Sequence, residues 1–135
     1  MYLDASALVD LVAREQAFEV VNDLWESADT VFASRLTYVE VHSALAARAR
    51  ARPRLRRRVA HARADADERW GAVAVVELDE HVCNVAALAA RRYRLRGADA
   101  VHLASAAVLG SSVLMVSRDE ALRRASVEAG LPVAP

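Results

Sequence analysis

A chain of 135 residues, 55% of them hydrophobic, carries enough apolar material for one compact domain, residues 1–135, and too little for two. Its 18 positive charges are all arginine and balance 18 acidic residues, so whole-molecule attraction to nucleic acid is not indicated and every mechanism that needs a lysine amine is excluded. The lone Cys83 permits no internal disulfide, and Met1 to Asp4 lacks the basic and long apolar regions of a signal peptide, so the cytoplasm is the expected compartment.

Taken in chain order, the pattern alternates. Tyr2-Leu3 opens a short strand that cannot extend far before Asp4, and Ala5 to Val12 and Phe18 to Trp25 then show helical apolar spacing. Val31 to Ala33 reads as the next strand. Leu36 to Ala49 is Ala-rich and helical, Pro53 breaks it, and a charged helix runs from about Arg54 to Trp70. A strand at Val73 to Val76, helices at His81 to Tyr93 and Ala98 to Leu109, a strand at Val113 to Val116 and a helix from Glu120 to Ala129 follow. Gly130 is the stop signal for that last helix, and Leu131 to Val133 suggests a short edge strand. Ala100 to Ser117 carries no formal charge and approaches the length of a membrane span, but His102, Ser105 and Gly110 to Ser112 divide it into a helix and a buried strand. Short apolar strands separated by helices imply a parallel sheet covered on both faces.

Four carboxylates stand out against that pattern. In an open parallel sheet, ligands bind beyond the carboxyl ends of the strands, where Asp4 and Asp119 both fall. Each could equally be a helix N-cap, and Asp99 could be a first-turn carboxylate that only complements its helix dipole. Glu40 shares a helical stripe with Leu36, Ser43, Ala44 and Ala47, which places a charge among small and apolar positions that read as core-facing. Such a carboxylate needs a partner, either an arginine or a cation held jointly with other acids. Oxygen-only donors suit Mg²⁺ or Mn²⁺, whereas zinc calls for His or Cys. His42, His61, His81 and His102 lack a regular ligand spacing, and His81 and Cys83 fall on different helix faces, so zinc and Cys-His nucleophile readings are disfavoured. His102 reads as a supporting or packing residue. Ser6 could bond Asp4, a bound water or its own helix start.

Asp4-Ala5-Ser6-Ala7-Leu8, Leu36-Thr37-Tyr38-Val39-Glu40, Ala98-Asp99-Ala100-Val101-His102-Leu103-Ala104 and Ser117-Arg118-Asp119-Glu120-Ala121-Leu122 resemble, in order and spacing, the successive acidic motifs of PIN-domain ribonucleases. The small form of that family, the VapC-type toxin of prokaryotic toxin–antitoxin pairs, is similar over essentially the whole chain. The resemblance implies a three-layer α/β/α fold with a short parallel sheet in the order 3-2-1-4-5. It implies that Asp4, Glu40, Asp99 and Asp119 are the catalytic, metal-binding set, with Ser6 and Ser117 as polar helpers and Mg²⁺ or Mn²⁺ as cofactor. It also implies an RNA substrate, a homodimer and a small antitoxin that covers the acidic groove. The segment from Pro53 to Trp70 is the part least matched to the family pattern.

Arg48, Arg50, Arg52, Arg54, Arg56, Arg57, Arg58 and Arg63 concentrate positive charge in one segment that would attract an RNA backbone, although Asp65, Asp67 and Glu68 follow closely and a solvated face or a protein contact would look the same. Arg91, Arg92, Arg94 and Arg96 form a second such edge. Tyr38, Trp25 and Trp70 occur singly and read as core or interface aromatics rather than base-stacking platforms. A receiver domain would call for a lysine, and a haloacid-type phosphatase for an Asp where Ser6 stands. A stand-alone PIN nuclease of RNA processing, and a non-catalytic RNA-binding module of the same fold, remain the alternatives.

Overall fold

The computed structural model describes residues 1–135. The elements are β1 (Tyr2–Leu3), α1 (Ala5–Ala13), α2 (Phe18–Ser27), β2 (Phe32–Ser34), α3 (Arg35–Ala51), α4 (Arg56–Trp70), β3 (Ala74–Val76), α5 (Glu80–Tyr93), α6 (Gly97–Ala107), β4 (Met115–Val116), α7 (Glu120–Glu128) and β5 (Val133–Ala134). A 3-10 turn at Pro53–Leu55 joins α3 to α4 where proline was expected to break the helix. The strands form one sheet in the order β3-β2-β1-β4-β5, with every neighbouring pair parallel. No helix is long and apolar enough to cross a membrane. The uncharged stretch divides as expected into α6 and β4, although Val113 and Leu114 precede the paired part of the strand.

The pleat sorts the core into two layers. Side chains alternate across a strand, so Leu3 and Val116 join one apolar cluster while their neighbours Tyr2 and Met115 join the other. The first cluster is completed by Leu8 and Leu11 of α1, Val21 of α2, Val41 and Leu45 of α3, and Val59 and Ala62 of α4. Val82 and Ala86 of α5, Leu103 and Ala104 of α6 and Leu122 of α7 complete the second. Burying a residue the size of Leu11 or Leu103 contributes about 2 kcal/mol each, so both faces of the sheet are held by apolar burial.

Local signals set the ends of the helices. Asp4, Ser34, Asp79 and Asp119 each accept a main-chain N–H bond as N-cap of α1, α3, α5 and α7. Gly130 follows α7 at φ +87°, a left-handed conformation that glycine adopts without strain, and releases the chain into β5. The chain order puts β2 and β3 on one side of β1, and β4 and β5 on the other. The crevice between the carboxyl ends of β1 and β4 is therefore a topological switch point, where an open α/β sheet binds ligands.

Candidate active site

That crevice gathers the acids. Asp4 follows β1, and its main-chain N–H bonds the Val116 carbonyl at 3.2 Å, which draws the end of β1 against the end of β4. Its carboxylate is 4% exposed and saturated with donors: the Ala7 main-chain N–H at 2.8 Å and the Ser6 hydroxyl at 2.8 Å on Oδ1, and the Ser117 hydroxyl at 2.6 Å on Oδ2. Ser117 is also the link to the next acid, because its Oγ accepts the Asp119 main-chain N–H at 3.0 Å. Ser6 Oγ accepts the Arg118 main-chain N–H at 2.9 Å. Two serines thus lace the α1 start to the β4–α7 turn.

Asp119 caps α7 through Oδ1, which accepts the Leu122 N–H at 2.8 Å. The N-cap alternative is therefore realised for Asp4 and Asp119, without removing either from the crevice. Asp99 differs. The N-cap of α6 is Arg96, which offers no side-chain bond, and Asp99 stands in the first turn without a capping hydrogen bond, where its charge also complements the helix dipole. Burial first, and then the nearby Asp119 charge, push its carboxyl above the usual range; His102 and Arg96 pull the other way, and Glu40 adds repulsion. Asp119 and Glu40 are thus near enough to Asp99 for their charges to oppose its own.

Glu40 is placed differently from the sequence expectation. The buried stripe of α3 is Thr37, Val41 and Leu45, while Ser43 and Ala47 are exposed and the Glu40 side chain is 32% exposed. Glu40 lies on the flank of that stripe and turns toward α6, where His102 Nε2 meets its Oε2 at 2.7 Å. The partner that the carboxylate needed is a histidine from another helix rather than an arginine. His102 is itself buried and bonds the Tyr2 hydroxyl through Nδ1 at 2.9 Å.

The donor set is all oxygen apart from His102, whose ring nitrogens are both engaged, so its chemistry suits a hard divalent cation and not zinc. As the side chains stand, no three His, Cys, Asp or Glu residues close on one point tightly enough to hold an ion. Asp119 is exposed, Glu40 and Asp99 are partly exposed, and Asp4 is buried.

Two residues went unnoticed in the sequence. Asp10 lies within the apolar run Leu8-Val9-Asp10-Leu11-Val12, is fully buried, and faces Arg118 with Oδ2 2.8 Å from Nε. Burial holds its carboxyl above the usual range against the pull of Arg118. The pair fastens α1 to the turn that carries Asp119, and the interruption of the run was the signal that could have shown it. Tyr2 gave no signal, because a buried tyrosine in a strand is ordinary core.

The arginine segment is separate from this edge. Arg48 pairs with Glu15 at 2.7 Å and, with Arg52 and Arg58, lines a groove of about 560 Å³ between α1, α2, α3 and α4. Arg50, Arg54, Arg56, Arg57 and Arg63 are exposed and do not line it. Arg48 is eight residues beyond Glu40 on the same helix, about 12 Å along its axis. The aromatics that occur singly in sequence meet in space: Tyr38 lies 5.1 Å from the Trp70 ring and 4.4 Å from the His42 ring, and Arg69 covers Trp25.

Comparison with known proteins agrees with the topology. The family model described as PIN domain matches residues 1–128. Ribonuclease VapC45 of Mycobacterium tuberculosis (strain CDC 1551 / Oshkosh) and Ribonuclease VapC49 of strain H37Rv are each 42% identical over 136 aligned positions, covering 100% of this chain and 94% of theirs. Among solved structures, PAE2754 from Pyrobaculum aerophilum superposes with a TM-score of 0.74 at 24% identity, over 98% of this chain and 87% of that one. The structure of FitAB bound to an IR36 DNA fragment gives 0.65 at 20% identity, over 99% and 94%. FitAcB from Neisseria gonorrhoeae gives 0.61 at 20% identity, over 99% and 96%.

Proposed function

The chain belongs to the PIN-domain family, in its VapC-type branch, and from that membership we propose that it is a divalent-metal-dependent endoribonuclease, the toxin of a type II toxin–antitoxin pair. The observation that carries the reading is Asp99: a half-buried carboxylate with no capping hydrogen bond, set beside two like charges at the switch point of the sheet. A carboxylate held against other carboxylates is what a cation site requires.

Asp4, Glu40, Asp99 and Asp119 hold Mg²⁺ or Mn²⁺, directly or through water. The ion, when bound, supplies positive charge against the phosphoryl oxygens and activates water for hydrolysis of a phosphodiester. The chain's own residues prepare the place. Ser6, Ser117 and the Ala7 N–H fix Asp4 by donating to it, the α7 N-terminus fixes Asp119, and His102 holds Glu40. Asp4, Glu40 and Asp99 would be the direct or water-bridged ligands, and Asp119 would hold a second ion or orient the attacking water.

Arg48, Arg50, Arg52, Arg54, Arg56, Arg57 and Arg58 attract the RNA backbone that the acidic pocket alone would repel. The protein acts in the cytoplasm as a single domain and homodimer, and a small antitoxin covers the acidic groove with a basic group against the carboxylates. The test is to incubate the purified protein with total cellular RNA, with and without Mg²⁺ or Mn²⁺. Discrete fragments only in the presence of metal are expected, and their suppression by the purified antitoxin. Unaltered RNA from a folded, metal-supplied, antitoxin-free sample would overturn the nuclease reading, and cleavage indifferent to the antitoxin would overturn the toxin role.

A further inference from the structure

Glu40 has the longest side chain of the four acids and stands on a helix flank with 32% of that side chain exposed, yet one of its oxygens is met at 2.7 Å by a histidine whose own side chain is 4% exposed. That histidine is in turn met at 2.9 Å by Tyr2, which is fully buried in the central strand two residues before Asp4. The two rings stand edge to face, 6.1 Å apart at 68°.

Donors and acceptors fix the direction of the chain. Glu40 can only accept, so His102 Nε2 carries a hydrogen. A tyrosine phenol carries its hydrogen at neutral pH, so Tyr2 has one to donate. The one hydrogen bond of the buried Tyr2 hydroxyl is to His102 Nδ1 at 2.9 Å, and a buried O–H places its hydrogen where an acceptor stands, so Nδ1 accepts.

We propose that Tyr2, through His102, is an oriented anchor for Glu40: Tyr2 O–H donates to Nδ1, Nε2–H donates to Glu40 Oε2, and Oε1 is left pointing to the acidic pocket. His102 is then a positioning residue, held with a hydrogen on Nε2. Three elements take part, since Tyr2 stands on β1, Glu40 on α3 and His102 on α6. The proposal rests on the four-carboxylate reading, because it assigns Glu40 a ligand's role. Removing a partner that orients a metal ligand in this way usually lowers affinity about 10- to 100-fold.

The experiment has two arms, neither of which uses RNA. In the first, ¹⁵N-histidine NMR of the whole chain reads the His102 tautomer. The neutral Nε2–H form is expected, and in Tyr2→Phe a mixture that includes Nδ1–H. A wild-type spectrum with hydrogen on Nδ1 would overturn the proposal. In the second, calorimetry measures Mn²⁺ binding alone. His102→Ala is expected to weaken it by about 10- to 100-fold, and His102→Gln, which keeps a donor near the Nε2 position, by about threefold or less. Equal affinity in His102→Ala, or equal loss in the Gln and Ala variants, would overturn the positioning role while the pocket reading stands. Wild-type protein that shows the Nε2–H tautomer but binds no Mn²⁺ would overturn the pocket reading, and this proposal with it.

Discussion

The carboxyl edge of the sheet and the α3–α4 arginine hairpin are the two most charged regions, and they are organised in opposite ways. At the sheet edge, Asp4, Ser6, Ser117, Asp119, Glu40 and His102 come from parts of the chain far apart in sequence and are tied by bonds of 2.6 to 3.0 Å. In the hairpin, the arginines are sequence neighbours that spread over an exposed surface. Arg48 pairs with Glu15 and the segment's own acids pair elsewhere, Asp65 with Arg69 and Asp67 with His42. Density of charge along a chain is therefore a poor guide to a site. Convergence of few charges from many elements is the better one, because only a folded structure that gains from it would bear the repulsion.

The converged edge should respond most strongly to substitution. Asp99→Asn should lower metal-dependent RNA cleavage by about 100- to 1,000-fold, the usual cost of one precisely placed electrostatic group, with circular dichroism unchanged. A variant that retains more than a tenth of the activity would place the chemistry elsewhere. Ser117→Ala comes next. It strips a 2.6 Å bond from a buried carboxylate and should cost about 1 to 3 kcal/mol in urea unfolding, with the metal requirement shifted to higher concentration. A neutral result would mean that the two strand ends are not tied through Asp4.

The hairpin should respond least. Arg52→Ala with Arg58→Ala should leave stability unchanged and weaken RNA binding uniformly across sequences. The slope of log affinity against log salt should fall by roughly 0.7 for each single-strand phosphate that is no longer neutralised. Sequence-dependent weakening would show that these side chains read bases rather than phosphates, and would erase the contrast between a specific edge and an unspecific surface.

Nearly every element could be read from the sequence because the strands are short apolar runs and the helix stops are explicit, as at Pro53 and Gly130, whereas the strand order came from the likeness to the PIN-domain motifs. The crevice followed from the motifs and from where Asp4 and Asp119 fall relative to their strands. Side-chain partners were less legible. The stripe assigned to α3 was rotated from the true one, since an Ala-rich helix has weak amphipathic contrast and Thr37 is as buried as Val41. The Glu40–His102 bond joins residues 62 apart, and no periodicity within one helix can report it. Tyr2 and Asp10 were hidden for opposite reasons. The first looks like core and has its polar tip in use, whereas the second is a charge inside an apolar run, the same kind of signal that marked Glu40.

If Asp99 is held against other carboxylates for the sake of a cation, thermal stability must register both the strain and its relief. The folded-state pKa of Asp99 is raised, so the folded protein binds that proton more tightly than the unfolded chain. Its contribution to stability is complete below the usual carboxylate range and is lost as pH rises through the raised value. Asp10 carries the same sign. At pH 7 without metal, Asp99→Asn should therefore melt higher than wild type, with the gap closing as pH falls. With saturating Mn²⁺ the order should reverse, because only the wild type gains the ion's binding energy. An Asn variant that melts lower without metal, or the same rise with Mn²⁺ in both proteins, would mean that Asp99 is not held there for an ion.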